Sequence, residues 1–323
     1  MKKAEPTEPI SIIVAADAAY AMPLTVTLHS ALRRLDKHRE VEIVIADGGL
    51  GAANCARIQT ALGGAHPRMT LRFVAPQMER FASFNSGIYS RSTYLRIMVP
   101  EFFPRGRKKA LYLDSDILVT TNLAPLWDTD LGSFPVWAVQ DYALGAFDEF
   151  VRDRFPEIEA PADAVYFNAG MLLFNLPVWE TEKISERALE FLDKHSQRLS
   201  FPDQDALNAT LAGNWGRLDP RWNIQVSNVG VVPSLEMPTN GPPNQAAVDS
   251  LSGICHFTVA KPWHPEYTGK LSWSWACETV RTGWRSLPQA ATLWVRQAVA
   301  RNGGRIRRRL KFLSPPQVRA DEV

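Results

Sequence analysis

Short apolar runs and stretches of helical period alternate along the first half of the chain. SIIVAA (11–16) is a continuous apolar run of strand length. Residues 23–35 then carry Pro23 at the start and Leu24, Leu28, Leu32 and Leu35 at helical spacing, which predicts a helix. VEIVIAD (41–47) predicts a second strand, residues 51–63 a second helix, and TLRFVA (70–75) a third strand. SRSTYLRIMV (90–99) is predicted helical up to Pro100, because a residue before proline avoids the helical region. KALYLDSD (109–116) is a fourth strand. A strand at 171–176, helices at 182–195 and 203–213, and a last strand at 253–259 follow. This alternation implies an α/β fold with a mostly parallel sheet between layers of helices. Ligands of such folds bind beyond the carboxyl ends of the strands, where Asp17, Asp47 and Asp114 all fall.

The fourth strand ends in two carboxylates one residue apart, Asp114 and Asp116, before apolar chain resumes at Ile117. In an extended segment, residues i and i+2 point to the same side, so the two face one point. Like charges that close raise each other's pKa unless a cation lies between them. Hard oxygen ligands suit Mg²⁺ or Mn²⁺. Taken by itself the stretch leaves a metal pair and a strand-end turn equally open, since Asp and Ser are common in turns. CHFTVAKPWH (255–264) adds His256 on a predicted strand and Lys261 five residues on. A neutral imidazole qualifies as a third ligand and favours Mn²⁺ over Mg²⁺, although a lone histidine there also fits a hydrogen-bonded core residue. A nearby lysine can hold a diphosphate as a point charge.

YFNAGMLLFNL (166–176) and FPDQDALN (201–208) contribute Asn168, Asp203, Gln204 and Asp205. Asp203 can cap the helix that follows. Three successive carboxylate and amide side chains nevertheless exceed what one cap needs, and such groups are what hydroxyl-rich ligands require.

Composition narrows the picture. The 323 residues are 46% hydrophobic and 22% charged, which is ordinary globular make-up. A formal net charge of only +2 gives no general case for a nucleic-acid partner. Cys55, Cys255 and Cys277 are odd in number and show no C-x-x-C spacing, so free thiols in a reducing compartment are expected. No transmembrane span is visible, and the N-terminal apolar run reads as a strand, not as a signal peptide. Each of the ten tryptophans is expected in the core before a sugar site. Basic charge is concentrated at the C-terminal end, in Arg301, Arg305, Arg307, Arg308, Arg309 and Lys311; without these six the net charge falls from +2 to −4. Ile306, Leu310 and Leu313 share one helical face there. A basic amphipathic segment of this kind gains about 1 kcal/mol per basic residue at an anionic membrane, which favours a membrane-surface role over a solvated, disordered charged tail or a nucleic-acid contact.

In order along the chain, IIVAADAAYAMPLTVTLHSAL, STYLRI, ALYLDSDILVTTNLAPLWDTDLG, YFNAGMLLFNLPVWE, PDQDALN and HFTVAKPWH resemble glycosyltransferase family 8. That family includes glycogenin and the bacterial lipopolysaccharide galactosyl- and glucosyltransferases. The lipooligosaccharide α-galactosyltransferases are nearest in YFNAG, DQD and KPWH. The resemblance covers residues 11–264. It implies a GT-A fold, with a Rossmann-like mixed sheet flanked by helices, over residues 1–270. A C-terminal helical extension with the basic tail occupies 271–323. It further implies a UDP-hexose donor, galactose or glucose, with Mn²⁺ (Mg²⁺ as the alternative) and transfer with retention to an oligosaccharide or glycolipid. By position, Asp114 and Asp116 match the D-x-D metal ligands, His256 the third ligand, and Lys261 the diphosphate contact. Asp17 and Tyr20 match residues that hold the uracil and ribose, and Ala15 and Ser115 join the donor-binding set. Arg96 matches an arginine near the donor sugar, and Asn168 and Asp203 match further sugar contacts. Gln204 matches the residue nearest the anomeric carbon on the face away from UDP. An amide is a poor nucleophile, so front-face transfer is expected over a covalent intermediate.

Two departures stand out. Ala19 replaces a residue often polar in relatives, and FTVA between His256 and Lys261 is one residue shorter than in several of them and lacks a Gly. With the membrane-binding tail, the resemblance places the protein in the cytoplasm, peripheral to the inner face of the membrane.

Three other readings compete with this one. Phosphohydrolases of the haloacid dehalogenase type also end a strand in D-x-D, but near the N-terminus and followed by Gly-Thr, where this chain has Ile117 and Leu118. GLGAAN (49–54) half-fits a dinucleotide loop, with Asn54 in place of the third glycine. A UDP-sugar-binding module without turnover is the third.

Overall fold

The computed structural model describes residues 8–87, 89–142, 147, 151–227, 230–231 and 245–313, with side chains except at 230, 231, 245 and 303–313. Its first half alternates β1 (Ile10–Ala16), α1 (Ala21–Arg34), β2 (Val41–Asp47), α2 (Ala52–Leu62) and β3 (Met69–Val74). A 3₁₀ helix (Arg91–Phe102), β4 (Lys109–Leu113), β5 (Ile117–Val119), α3 (Ala124–Trp127) and β6 (Val136–Gln140) come next. β7 (Phe167–Asn175), α4 (Leu176–Thr181), α5 (Ile184–His195), α6 (Pro202–Leu211) and β8 (Gly216–Arg217) follow. The chain continues with β9 (Ile224–Ser227), β10 (Gly230–Val231), α7 (Gln245–Asp249), β11 (Ile254–His256), α8 (Ser272–Arg281) and α9 (Leu287–Leu313).

A seven-stranded sheet runs β3-β2-β1-β4-β7-β6-β8. β3, β2, β1 and β4 are parallel, whereas β7 is antiparallel to both β4 and β6. The sheet is therefore mixed, and less parallel than alternation alone suggests. The reversal has a consequence for position. Leu113 pairs with Met171, so the N-terminal residues of β7 lie just past the carboxyl end of β4. A second sheet, β10-β9-β11-β5, sets His256 opposite Ile117.

Both faces of the large sheet are covered. Ile12, Val14 and Ile43 pack under Leu24, Leu28 and Leu32 of α1. Ile13, Val44 and Tyr112 pack on the other face with Tyr94 and Ile97. That double burial is why the central strands read as unbroken apolar runs. Trp179 and Trp275 are fully buried.

Two boundaries differ from the sequence pattern. The 90–99 segment does not stop before Pro100; it is a 3₁₀ helix reaching Phe102. Proline removes the N–H that would bond the Ile97 carbonyl three residues back, and the Ser185 hydroxyl donates to that carbonyl instead at 2.6 Å. The last strand ends at His256, three residues early: Phe257 N–H still donates to the Asp116 carbonyl at 3.0 Å, but Thr258 N–H turns back to the His256 carbonyl at 3.1 Å.

The C-terminal segment packs against the rest of the fold. Trp275 of α8 packs with Val26 and Phe257. Glu278, 1% exposed, accepts from His29 Nδ1 at 2.6 Å, Arg281 at 2.8 Å and Arg33 at 3.3 Å. Burial works to raise its pKa, but His29 and then Arg33 and Arg281 outweigh it and hold the carboxyl below its ordinary 4.5. A depressed carboxyl stabilises the fold above its unfolded pKa and loses that contribution as pH falls through the folded value. Glu278→Gln is therefore expected to lower stability by about 1–3 kcal/mol at neutral pH. The gap to wild type in thermal unfolding should shrink as pH drops below 4.5. A gap that stays constant down to acid pH would contradict an ionised Glu278. Backbone helix continues through α9 to Leu313, but the side chains from Arg305 to Lys311 lie outside the described residues. Among the described residues, no helix is long and apolar enough to cross a membrane.

Candidate functional site

Asp114 and Asp116 converge through a turn between β4 and β5, not along an extended pleat. The turn is pinned on three sides. Asp114 N–H donates to the Gly170 carbonyl at 2.8 Å. The Ser115 hydroxyl donates to the Ala15 carbonyl at 3.1 Å, tying the turn to the end of β1. Thr27 Oγ1 accepts Ile117 N–H at 3.1 Å and lies 3.0 Å from the Ser115 carbonyl. The apolar strand preceding the carboxylates supplies burial, and these polar ties fix the turn where burial ends.

His256 arrives from the second sheet. Its ring packs against Gly170, where a Cβ would sit 2.1 Å from Cε1; the glycine of YFNAG is the ring's seat. His256 Nε2 is 3.2 Å from Asp116 Oδ1 and 3.8 Å from Asp114 Oδ2. One ligand atom from each of the three residues lies within 4.8 Å of the others. Asp116 Oδ1 is buried without a hydrogen-bond partner, since Nε2 is off the line such a bond needs. Two carboxylates, an imidazole and an orphaned buried oxygen facing one point fit a divalent cation with oxygen and nitrogen ligands.

The charges around this point are arranged in pairs. Lys261 Nζ donates to Asp116 Oδ2 at 2.5 Å. Arg96 donates to Asp114 Oδ1 at 2.7 Å and to the Ala169 carbonyl at 2.8 Å, and its Nε forms an ion pair with Asp203 Oδ2 at 2.9 Å. Tyr112 OH also donates to Asp114 Oδ1, at 2.8 Å. Burial raises the Asp114 pKa above its ordinary value and prevails over Arg96. For Asp116 burial pushes upward too, but Lys261 holds its carboxyl well below the usual range. Burial opposes the charge on Lys261, and Asp116 outweighs it, keeping the amine protonated.

The D-Q-D run divides its labour. Asp203 does not cap α6; it pairs with Arg96. Asp205 Oδ2 accepts Ser200 and Phe201 N–H at 2.8 and 2.9 Å, so it performs the capping, and Tyr166 OH donates to its other oxygen. Gln204 Oε1 accepts Ala169 N–H at 2.8 Å, and its amide nitrogen donates to Asp141 at 3.1 Å. Asn168 donates to the same Asp141 oxygen at 2.9 Å.

A cavity of about 470 Å³ opens over these groups. Asp114, Ser115, Asp116, His256 and Lys261 form its floor, and Arg96, Asn168, Asp203 and Gln204 line it as well. At its β1 end stand Ala15, Asp17 and Tyr20. Asp17 also accepts Ala19 N–H at 3.0 Å, so it shapes the turn after β1. Tyr20 packs edge-on against Trp263, 5.8 Å between centroids. Every residue that the family resemblance matched to the site thus meets in one cavity. Asp47 does not: its carboxylate accepts Gly49 and Leu50 N–H and shapes a loop. Gly49 and Gly51 belong to that loop, at φ of 114° and 79°, and neither lines the cavity, so GLGAAN is a strand–helix turn. Among the described lining residues no tryptophan appears. Cys55, Cys255 and Cys277 are unpaired, and burial pushes the Cys255 thiol up to about 12, leaving it inert. Sequence reasoning missed Asp141 and Tyr112 in the lining and Asn223 behind His256, which accepts from Nδ1 at 3.1 Å. Asp141 follows the end of β6 and was open to the strand-end rule that marked Asp114.

The sequence pattern of glycosyl transferase family 8 matches residues 11–266. General stress protein A of Bacillus subtilis is 29% identical over 272 residues, spanning 80% of this chain and 88% of that protein. A lipopolysaccharide 1,3-galactosyltransferase of Salmonella typhimurium is 29% identical over 180 residues, 54% of this chain and 50% of that enzyme. The galactosyltransferase LgtC, solved in complex with donor and acceptor sugar analogues, superposes with a TM-score of 0.66 at 28% identity, covering 86% of this chain and 96% of that one. These matches leave no room for a haloacid dehalogenase or a dinucleotide-binding protein. The order of its strands, the cavity beyond them and the extent of these similarities lead to one assignment: the chain belongs to glycosyltransferase family 8 and has the GT-A fold.

Proposed function

We propose that the protein is a metal-dependent, retaining hexosyltransferase that moves galactose or glucose from a UDP-sugar to a saccharide acceptor. The acceptor class is lipopolysaccharide or another lipid-linked glycan, in keeping with the galactosyltransferases it resembles. The observation that carries the reading is the convergence of Asp114, Asp116 and His256 within 4.8 Å on the floor of a cavity otherwise lined by amides, carboxylates and Arg96.

Asp114, Asp116 and His256 would hold the cation, and an imidazole among the ligands favours Mn²⁺ over Mg²⁺. The bound ion supplies Lewis-acid charge against the diphosphate leaving group. Lys261, protonated and at the same floor, adds a point charge where negative charge grows as the glycosidic bond breaks. Ala15, Asp17, Tyr20 and Ser115 receive the nucleotide at the β1 end. Asn168 and Asp203 present hydrogen-bonding groups to sugar hydroxyls. Arg96, tied to both Asp114 and Asp203, fixes the metal side and the sugar side relative to each other. Gln204 is held by Ala169 and Asp141 and remains a neutral amide, so it supports the positive charge of the reacting sugar without bonding to it. The acceptor then attacks from the front face, its proton passing to the departing phosphate. A sugar trapped covalently on Asp203 or Gln204 would overturn this route. Tyr89 and Phe201, 6.4 Å between centroids in the cavity lining, offer aromatic faces to an acceptor ring. The basic tail places the enzyme on an anionic membrane surface, at the cytoplasmic face where lipid-linked acceptors are extended.

The test is UDP release from a panel of UDP-sugars with Mn²⁺, with and without lactose or a lipooligosaccharide acceptor, the same protein being floated with anionic and neutral vesicles. Release that requires the metal and rises with acceptor is expected, and the best sugar names the donor. Binding of UDP-sugar without any turnover would mean a non-catalytic module. Equal partition to neutral and anionic vesicles would remove the tail's membrane role.

A further inference from the structure

His256 is linked to the sugar side of the cavity by a continuous run of buried amides and one carboxylate. Its Nδ1 lies 3.1 Å from Asn223 Oδ1. Asn223 Nδ2 donates to Asn168 Oδ1 at 2.8 Å. Asn168 Nδ2 donates to Asp141 Oδ2 at 2.9 Å, the oxygen that Gln204 Nε2 also reaches at 3.1 Å. Asn223 is 0% exposed, Asp141 and His256 4%, and Asn168 6%. Buried groups of this kind must find partners, so each link restricts the next.

The polarity of the run is set by backbone, which cannot flip. Gly170 N–H donates to Asn168 at 3.0 Å, which makes the receiving atom the amide oxygen. Asn168 must then aim its NH₂ at Asp141, an acceptor. The same Asn168 oxygen requires a donor from Asn223, which turns the Asn223 carbonyl oxygen to His256. An amide oxygen only accepts, so Nδ1 must carry a hydrogen. A neutral imidazole has one N–H, so Nε2 is left with its lone pair, 3.8 Å from Asp114 Oδ2 and 3.2 Å from Asp116 Oδ1. That is the form a metal ligand requires.

We propose that Asn223 is a positioning residue for this reaction: it fixes the tautomer and ring orientation of His256 and transmits to the metal site the arrangement of Asn168, Asp141 and Gln204 around the sugar. Nothing in the Asn223 sequence context, PRWN in a 3₁₀ turn before β9, marks it as functional. It touches neither the cavity nor the two carboxylates. Its influence passes through one nitrogen.

The proposal rests on the metal-site reading above, and Mn²⁺ binding to the metal-free full-length protein, measured by calorimetry or by the EPR signal of free Mn²⁺, separates the two. Asn223→Leu removes the acceptor and should weaken Mn²⁺ binding about 10–100-fold, the usual effect of losing a partner behind a ligand. Asn223→Asp keeps an acceptor for Nδ1–H and should bind at least tenfold more tightly than the Leu variant. A merely structural role makes the opposite prediction, because a carboxylate at a fully buried position disturbs the fold more than leucine does. Leu binding Mn²⁺ like wild type, or Asp binding no better than Leu, would overturn the proposal. If the Leu variant does not fold, Asp decides alone: a loss within about tenfold of wild type supports the role, and a greater loss refutes it. Absence of Mn²⁺ binding by the wild type would instead sink the metal-site reading on which it stands.

Discussion

Asp116→Asn is expected to leave the protein folded, abolish its response to Mn²⁺ and cut transfer from a UDP-sugar by about 10³-fold or more. The magnitude follows from a metal contribution of several kcal/mol at the leaving group, with each 1.36 kcal/mol worth about tenfold. Asp116 is the residue on which the site turns. Its Oδ1 faces His256 without a hydrogen bond, and its Oδ2 holds Lys261. The amide keeps the shape and removes the charge. It also removes the repulsion with Asp114, which offsets part of the lost Lys261 pair, so metal-free stability should change little. Wild type at Mn²⁺ near one hundred times its Kd should gain ~2.7 kcal/mol. At ~2 °C per kcal/mol for a chain of this size that is roughly 5 °C in melting temperature. The variant should gain none. A variant that still melts higher with Mn²⁺ and still releases UDP would show that the metal binds elsewhere.

The residues that proved legible in the sequence were those whose chemistry conflicts with their surroundings. Asp114 and Asp116 interrupt a strand buried on both faces, and that conflict is readable without a structure. The mode of convergence was not: a turn closed by Thr27 and Ser115 does what an extended pleat was expected to do. The D-Q-D run held more polar groups than one cap uses, but which carboxylate capped could not be read: Asp205 does it, and Asp203, open as a cap, pairs with Arg96. Pro100 looked like a stop because the hydroxyl that relieves its missing hydrogen bond comes from Ser185, far along the chain. The antiparallel β7 was invisible to alternation, since a buried strand reads the same in either direction. Yet it is this reversal that lays Asn168–Gly170 beside Asp114. Asn223 escaped notice for the same reason that gives it a function. It acts through contacts with residues 33 and 55 positions away, and its own neighbours look like a turn.

Arg96→Met is expected to be the most destabilising single change at the site, at about 3–5 kcal/mol, the usual cost of breaking a buried ion pair by removing one partner. Arg96 is 7% exposed and its guanidinium joins two carboxylates, Asp114 and Asp203, to the Ala169 carbonyl. Without it both carboxylates are left beside each other in a partly desolvated wall. At ~2 °C per kcal/mol the melting temperature should fall by roughly 6–10 °C at neutral pH. The sign of the pH dependence is fixed. Asp114 already has a raised pKa because burial prevails over Arg96, and losing the arginine raises it further. A carboxyl with a raised folded pKa penalises the fold above its unfolded value, and the penalty disappears on protonation. The gap to wild type should therefore be widest near neutrality and narrow as pH falls toward about 4. Mn²⁺ should return part of the loss, since it balances Asp114 but leaves Asp203 alone. Arg96→Lys should fall between, because one ammonium lacks the fork that reaches both carboxylates. An Arg96→Met protein that melts with wild type at neutral pH would mean the two carboxylates do not share this cation, and the coupling of metal side to sugar side through Arg96 would have to be abandoned.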